Sequence, residues 1–443
     1  SLIIVSNNDQ FKKIKDYINV QEQKIISFEE IEAESLLIKD ILDETNYEKK
    51  TNHILKRNMP ACIIYTSGTS GNPKGVVLSH GGILSNCEGA VELLEPLIKI
   101  KDPVFLTWLP LSHSYEHTVQ YIQIIVGAKV FYAESLEKLI SNMGVAKPTI
   151  MTAVPRFYQN LFAKINMNFG KQTGFKKKLI NKTLELGKKL LKKEKFNFSE
   201  KVNNFFCNIL VRKKIHNQFG GNLQAFISGG GALDQKIGEF LNAIGLPTLQ
   251  GYGLTEASPV VSCNLPDLVK VDTVGPPFRT NKVKIAEDGE ILIKGENVML
   301  GYWNNVKETN KVIKNEWLYT GDIGEIDLNG FLKITDRKKD IIVNLGGDNI
   351  APSKIENILC LNELIKQSLV YGDKKNYLVA LLVVEKDMNR EKIKIMIENI
   401  NKNLSLIEKI KKFILIYEEF TISNGMLTPT LKLKRKEIIK NYK

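Results

Sequence analysis

The sequence predicts an α/β protein: a large N-terminal domain of parallel and mixed sheets with helices plus a small β-barrel-like part, followed by a small mobile α+β C-terminal domain. Three observations carry this prediction. Between residues 80 and 160, and again from Gln224 to Tyr252, short apolar runs alternate with helix-length stretches. That is the pattern of parallel strands joined by crossover helices. From Lys282 to Thr335 short apolar runs are separated by Asp and Gly turns such as Asp288-Gly289 and Asn329-Gly330, as in an antiparallel sheet or small barrel. After Asp336-Arg337-Lys338-Lys339-Asp340 the texture returns to mixed helix and strand, which makes that charged run a candidate hinge. The expected large domain is 1–336, with a basic helical insert at 160–218 and an antiparallel part at about 280–335; the expected small domain is 337–443.

The chain has 443 residues, 43% hydrophobic and 25% charged, an ordinary globular composition that excludes a disordered chain, a collagen-like repeat and a disulfide-stapled miniprotein. The opening Ser1-Leu2-Ile3-Ile4-Val5 lacks a charged leader and reads as a buried strand. The expectation is that the chain starts inside a larger domain. Residues 6–58 are polar and helix-prone, and Ala61-Cys62-Ile63-Ile64-Tyr65 reads as a strand entering a Gly/Ser/Thr loop. Val104-Phe105-Leu106 and Thr149-Ile150-Met151 read as further strands.

The formal charge of +13 is concentrated: residues 164–214 hold fourteen Lys and one Arg against three Glu. Leu179, Leu184, Leu186, Leu190 and Leu191 form an amphipathic face among these lysines. The segment is either a solvated helical face or a surface for an anionic partner, such as an anionic membrane. No recognised module supports nucleic-acid binding. No apolar run reaches the ~18 residues of a spanning helix. The five cysteines are odd in number and show no CxxC spacing, so neither a disulfide framework nor a zinc site is expected, and the compartment reads as reducing, hence cytoplasmic, with peripheral contact on the inner membrane face.

The strongest local constellation is Tyr65-Thr66-Ser67-Gly68-Thr69-Ser70-Gly71-Asn72-Pro73-Lys74-Gly75. Glycines let backbone N–H groups converge on phosphate oxygens, hydroxyls add donors and Lys74 adds charge. A P-loop requires G-K-[ST]; here Pro73 precedes the lysine and Gly75 follows it, which disfavours a P-loop NTPase.

That loop resembles the signature of the adenylate-forming (AMP-binding) superfamily. Ser228-Gly229-Gly230-Gly231-Ala232-Leu233, Gly251-Tyr252-Gly253-Leu254-Thr255-Glu256-Ala257, Tyr319-Thr320-Gly321-Asp322, Ile334-Thr335-Asp336-Arg337 and Thr428-Pro429-Thr430-Leu431-Lys432-Leu433-Lys434-Arg435 match its later motifs in order. Leu109-Pro110-Leu111-Ser112-His113, Val154-Pro155-Arg156-Phe157-Tyr158 and Phe219-Gly220-Gly221-Asn222-Leu223 are similar to its long-chain fatty acyl-CoA synthetase branch. Against that family the front of the large domain is expected to be missing.

The resemblance implies an acid–thiol ligase: a carboxylate attacks the α-phosphorus of ATP, and a CoA thiol then takes the acyl group from the adenylate. Thr66, Ser67, Gly68, Thr69, Ser70, Gly71 and Lys74 would hold phosphates. Gly229, Gly230, Gly231, Tyr252 and Gly253 would face adenine. Asp322 and Arg337 would hold ribose, while Thr66 and Glu256 would hold Mg²⁺. Thr255 would donate to the α-phosphate, His113 would lie beside the acyl carboxylate and Lys432 would bridge both reactants. Lys339 would be the hinge. Leu431 stands where the family commonly has Gly. An acyl-carrier-protein ligase of the same chemistry and a non-catalytic acyl- or nucleotide-binding remnant are the alternatives.

Overall fold

The computed structural model describes residues 2–19, 22–43, 54–66, 73–338, 340–428 and 431–442. They fall into two compact units, Ser1–Leu55 and Lys56–Lys443.

In the first unit the strands Leu2–Val5, Lys24–Ser27 and Leu36–Leu37 form a parallel sheet. The helix Asn8–Ile14 is capped by Asn7, whose side chain accepts from the N–H of Gln10. Val5, Phe11 and Ile25 make a small core. The opening strand is therefore present but not buried as expected. Alternate side chains of a strand point to opposite faces, and the described part of this unit covers only the face holding Val5, so Leu2 and Ile4 are exposed. Two short strands in the region read as helix-prone were missed because neither exceeds four residues.

The second unit is built on a six-stranded sheet. Its order runs Val260–Cys263, Thr248–Gly253, Ala225–Ser228, Ile150–Ala153, Val104–Thr107, Lys129–Tyr132. All pairings are parallel except that of the edge strand Val260–Cys263. Ile150–Ala153 is buried along its whole length, as expected of a parallel strand covered on both faces. Helix His80–Ile98 begins where the Ser79 hydroxyl accepts from the N–H of Gly82. Its Ile83, Cys87, Ala90, Leu94 and Leu97 recur at helical spacing and enter one core with Val119 and Ile122 of helix Ser114–Ile125. Helices Pro155–Gly170 and Gln235–Ala243 contribute to the other large core through Tyr158, Leu161, Ile237 and Leu241.

Strand Pro60–Thr66 pairs antiparallel with Lys74–Ser79, which pairs with Gly301–Tyr302. The antiparallel part expected near 280–335 is a five-stranded sheet of Asn281–Ile285, Glu290–Gly295, Trp317–Ile326, Ile313–Lys314 and Leu332–Arg337. Gly289 turns the first hairpin at φ +82°, a conformation that glycine adopts without penalty. Beyond it, Gln367–Tyr371, Leu378–Val383 and Ile410–Ile416 form a mixed sheet against helices Pro352–Cys360 and Arg390–Asn401. Among the described residues no helix is long and apolar enough to cross a membrane.

One buried ion pair fixes the last helix, Arg435–Tyr442. Glu356 is buried, and its two oxygens accept from Arg435 at 2.7 and 2.6 Å; one also accepts from the N–H of Val370 at 2.6 Å. Burial pushes the Glu356 carboxyl up while Arg435 opposes the shift. Removing only one partner of such a pair strands a charge. Arg435→Ala is expected to cost about 3–5 kcal/mol, read as a lower midpoint of urea unfolding. Arg435→Ala with Glu356→Gln is expected to recover part of that loss.

Candidate active site

A cavity of about 740 Å³ opens at the carboxyl ends of the parallel strands, where open α/β sheets place their ligands. Strand Thr248–Gly253 delivers Tyr252 to its wall. The next turn has no room for a side chain at Gly253, since a Cβ there would lie 2.1 Å from the Pro259 carbonyl oxygen. The short 3₁₀ turn Thr255–Ala257 then presents Thr255 and Glu256. The loop after Ala225–Ser228 runs close to helix Ser114–Ile125: a Cβ on Gly229 would sit 2.8 Å from the Tyr115 ring, and Gly230 adopts φ +80°.

The polar end of the cavity is organised around Asp322, which is only 4% exposed. The Tyr252 hydroxyl donates to one carboxylate oxygen at 2.7 Å, and Arg337 Nε donates to the other at 3.1 Å. Glu256 accepts from the Tyr302 hydroxyl at 2.9 Å. Lys74 Nζ lies 2.5 Å from a Glu308 oxygen and 4.8 Å from the centre of the Tyr302 ring. Glu308 also takes a hydrogen bond from Lys311; Lys311 and Lys74 together hold its carboxyl down near 2. Thr255 and Ser114 share a hydrogen bond of 3.1 Å, and the Thr66 hydroxyl faces the Lys74 carbonyl at 3.4 Å.

Lys432 enters this cavity from the C-terminal part of the chain. Its side chain is exposed within the cavity, yet protein crowds the ammonium. That desolvation, aided by the charge of Arg337 and opposed by Asp322 and Glu256, lowers its pKa to about 8. His113 caps helix Ser114–Ile125: its Nδ1 accepts from the N–H of Tyr115 at 3.2 Å. This leaves the ring proton on Nε2. Burial first, and then the Lys432 charge, lower His113 to about 4, so the ring is neutral at pH 7. The rest of the cavity is apolar, with Leu93, Leu94, Phe105, Val119, Ile122 and Phe278 in its wall.

Of the residues singled out from the sequence, Thr66, Lys74, His113, Gly229, Gly230, Tyr252, Gly253, Thr255, Glu256, Asp322, Arg337 and Lys432 all line this one cavity. Gly231 does not. It borders an adjoining cavity of about 170 Å³ that Lys432 also touches, because the loop has already turned toward Pro155. Ser67, Gly68, Thr69, Ser70, Gly71 and Lys339 lie outside the described residues. Sequence reasoning missed Tyr302, Glu308 and Lys311. They sit on a short strand and a charged helix whose local pattern carries no motif. It also missed Glu290, which accepts from the N–H of Gly321 at 2.8 Å and from Lys338 at 3.0 Å.

No group of three or more His, Cys, Asp or Glu poised for a metal occurs among the described residues. Glu256 and the Thr66 hydroxyl are hard oxygen donors in the same wall. A single carboxylate fits Mg²⁺, which keeps waters and takes its other ligands from phosphates.

The AMP-binding enzyme profile matches residues 1–303, and the AMP-binding enzyme C-terminal domain matches 339–443. The chain belongs to the AMP-binding enzyme family. This AMP-binding enzyme is 32% identical over 415 residues to the long-chain-fatty-acid–CoA ligase FadD15 of Mycobacterium bovis, covering 88% of the chain and 69% of that protein. It is 31% identical to the human long-chain-fatty-acid–CoA ligase 1, covering 86% of the chain and 59% of that protein. The fold matches that of the O-succinylbenzoate CoA synthetase MenE of Bacillus subtilis, solved with ATP and a magnesium ion. The TM-score is 0.70 at 22% identity, over 99% of this chain and 79% of the other.

Because Lys432 is expected to titrate near pH 8, the cavity gains a positive charge below that pH and loses it above. Reductive ¹³C-methylation followed by NMR should show one dimethyl-lysine resonance titrating near pH 8, absent from Lys432→Arg. A methylated Lys432 that titrates with the surface lysines would contradict this.

Proposed function

We propose that this chain is an ATP-dependent long-chain fatty acid:CoA ligase that works through an acyl-adenylate and releases AMP and pyrophosphate. One observation carries the reading: a single cavity joins a polar end bearing Asp322, Glu256 and Lys432 to an apolar arm walled by Leu93, Leu94, Val119 and Phe278. An apolar acid and a nucleotide need such a meeting place, and fixing both there converts a bimolecular attack into an effectively unimolecular one. The resemblance to curated long-chain ligases supports the acyl class and the thiol acceptor.

In this mechanism Asp322, already oriented by Tyr252 and Arg337, accepts from the ribose hydroxyls with its remaining lone pairs. The Tyr252 ring and the Gly229–Gly230 backbone flank adenine. Lys74 leaves Glu308 to meet the outer phosphates, together with the loop from Thr66. Thr255 donates to the α-phosphate. Lys432 sits between the α-phosphate and the fatty carboxylate, where its charge offsets the negative charge that accumulates during attack. Neutral His113 offers its Nε2 proton to the carboxylate without a competing cation. Glu256 and Thr66 would hold Mg²⁺, which would supply charge neutralisation for the phosphates. In the second half-reaction rotation about the Lys339 region withdraws Lys432 and opens the acyl carbon to CoA.

Pyrophosphate release measured over a panel of fatty acids, with and without CoA, tests the reading. Long-chain acids should support release, and CoA should turn the adenylate into thioester. Lys432→Ala should slow adenylation about a hundredfold or more, with ATP affinity little changed. With the wild type, adenylation should fall as pH rises through about 8, where Lys432 loses its proton. Thioester formed only on an acyl-carrier protein would reassign the acceptor. Absence of release with every acid would remove the ligase reading.

A further inference from the structure

The helical run formed by Phe198–Cys207, the π-helical Asn208–Arg212 and Lys213–Gln218 has two apolar faces. One packs inward: Cys207, Val211 and Ile215 are buried. The other holds Phe198, Val202, Phe205, Phe206, Ile209 and Leu210, which are 38–83% exposed. A solvated helix carries polar residues on its outer face, and a contiguous apolar stripe in water marks a contact surface. The run is held rigidly in place. Buried Arg212 donates to Asn204 Oδ1 at 2.7 Å, to the Ala243 carbonyl at 2.9 Å and to the Thr183 carbonyl at 3.2 Å.

Lysines frame the stripe. Lys201, Lys213 and Lys214 are exposed on the same run, and Lys192, Lys193 and Lys195 are exposed just before it. Of the segment's three acids, Glu185 and Glu200 are already paired with Lys182 and Lys189, which leaves the positive excess facing outward. We infer that this stripe is a docking surface for an anionic lipid bilayer. Its apolar side chains enter the headgroup–acyl boundary and its lysines meet lipid phosphates. A second copy of the chain would set like charge against like. A polynucleotide would satisfy the lysines and leave six apolar side chains in water. The inference concerns binding alone and does not depend on the ligase reading.

Flotation of the full chain with vesicles of phosphatidylcholine, or of phosphatidylcholine mixed with phosphatidylglycerol, tests it without nucleotide or fatty acid present. Binding should require phosphatidylglycerol and weaken with salt. K213Q/K214Q should lower partitioning roughly fivefold per lysine, and F205S/F206S should lower it more than tenfold. Unchanged thermal unfolding shows that each variant is folded, and Phe198→Ser serves if the double variant is not. Absence of binding to phosphatidylglycerol vesicles at low salt, or binding that none of these variants weakens, overturns the inference. So does a dimer that F205S/F206S dissolves while vesicles stay bare.

Discussion

The Asp322 carboxylate is the point on which the site depends. It is almost fully buried, and its two oxygens hold Tyr252 from the parallel sheet and Arg337 from the last strand of the antiparallel sheet. A buried carboxylate without partners would be strongly disfavoured. The Tyr252 bond therefore ties the parallel sheet to the antiparallel one, the Arg337 bond braces Asp322 from the neighbouring strand of its own sheet, and the cavity lies at that junction. Arg337 also belongs to the charged run 336–340 that leads to the C-terminal part of the chain.

Electrostatics then divides the cavity. Lys74, Lys311, Lys314, Arg337, Lys338 and Lys432 bring positive charge to the polar end, and Glu256, Glu290, Glu308 and Asp322 offset only part of it. Arg337 is paired with Asp322 and Lys74 with Glu308. A bound polyanion would take over contacts that protein groups now supply. The lowered pKa values of His113 and Lys432 share their causes, desolvation by the surrounding protein first and a nearby cation second.

Much of this was legible in the sequence because the tight loops that wall the cavity need particular residue types at fixed spacing. Gly253 is required by the nearby Pro259 carbonyl, and Gly230 by its positive φ. Such local demands leave a readable mark. The alternation of strands and helices likewise announced the parallel sheet, and the Asp-Gly turns announced the antiparallel one. What stayed hidden depends on distant pairing. Tyr302 reaches Glu256 and Glu308 reaches Lys74 across 46 and 234 positions of sequence, and an isolated Tyr or Glu on an ordinary strand or helix carries no sign of its partner. The apolar wall was hidden for a related reason, since Leu93 or Phe278 looks the same in sequence whether it fills a core or lines a cavity. Gly231 shows the converse limit: it belongs to a glycine run, yet only two of the three glycines face the main cavity.

The central claim is that nucleotide and acyl chain share one cavity with Lys432 between them. Calorimetric titration with a long-chain acyl-sulfamoyl-adenosine, compared with AMP and with the free fatty acid, tests it most directly. If the two ends of the cavity are continuous, the joined ligand binds at least about a hundredfold more tightly than either part, as linked occupancy of adjacent subsites requires. If the joined ligand binds no better than AMP, the apolar arm does not receive the acyl chain and the claim is wrong.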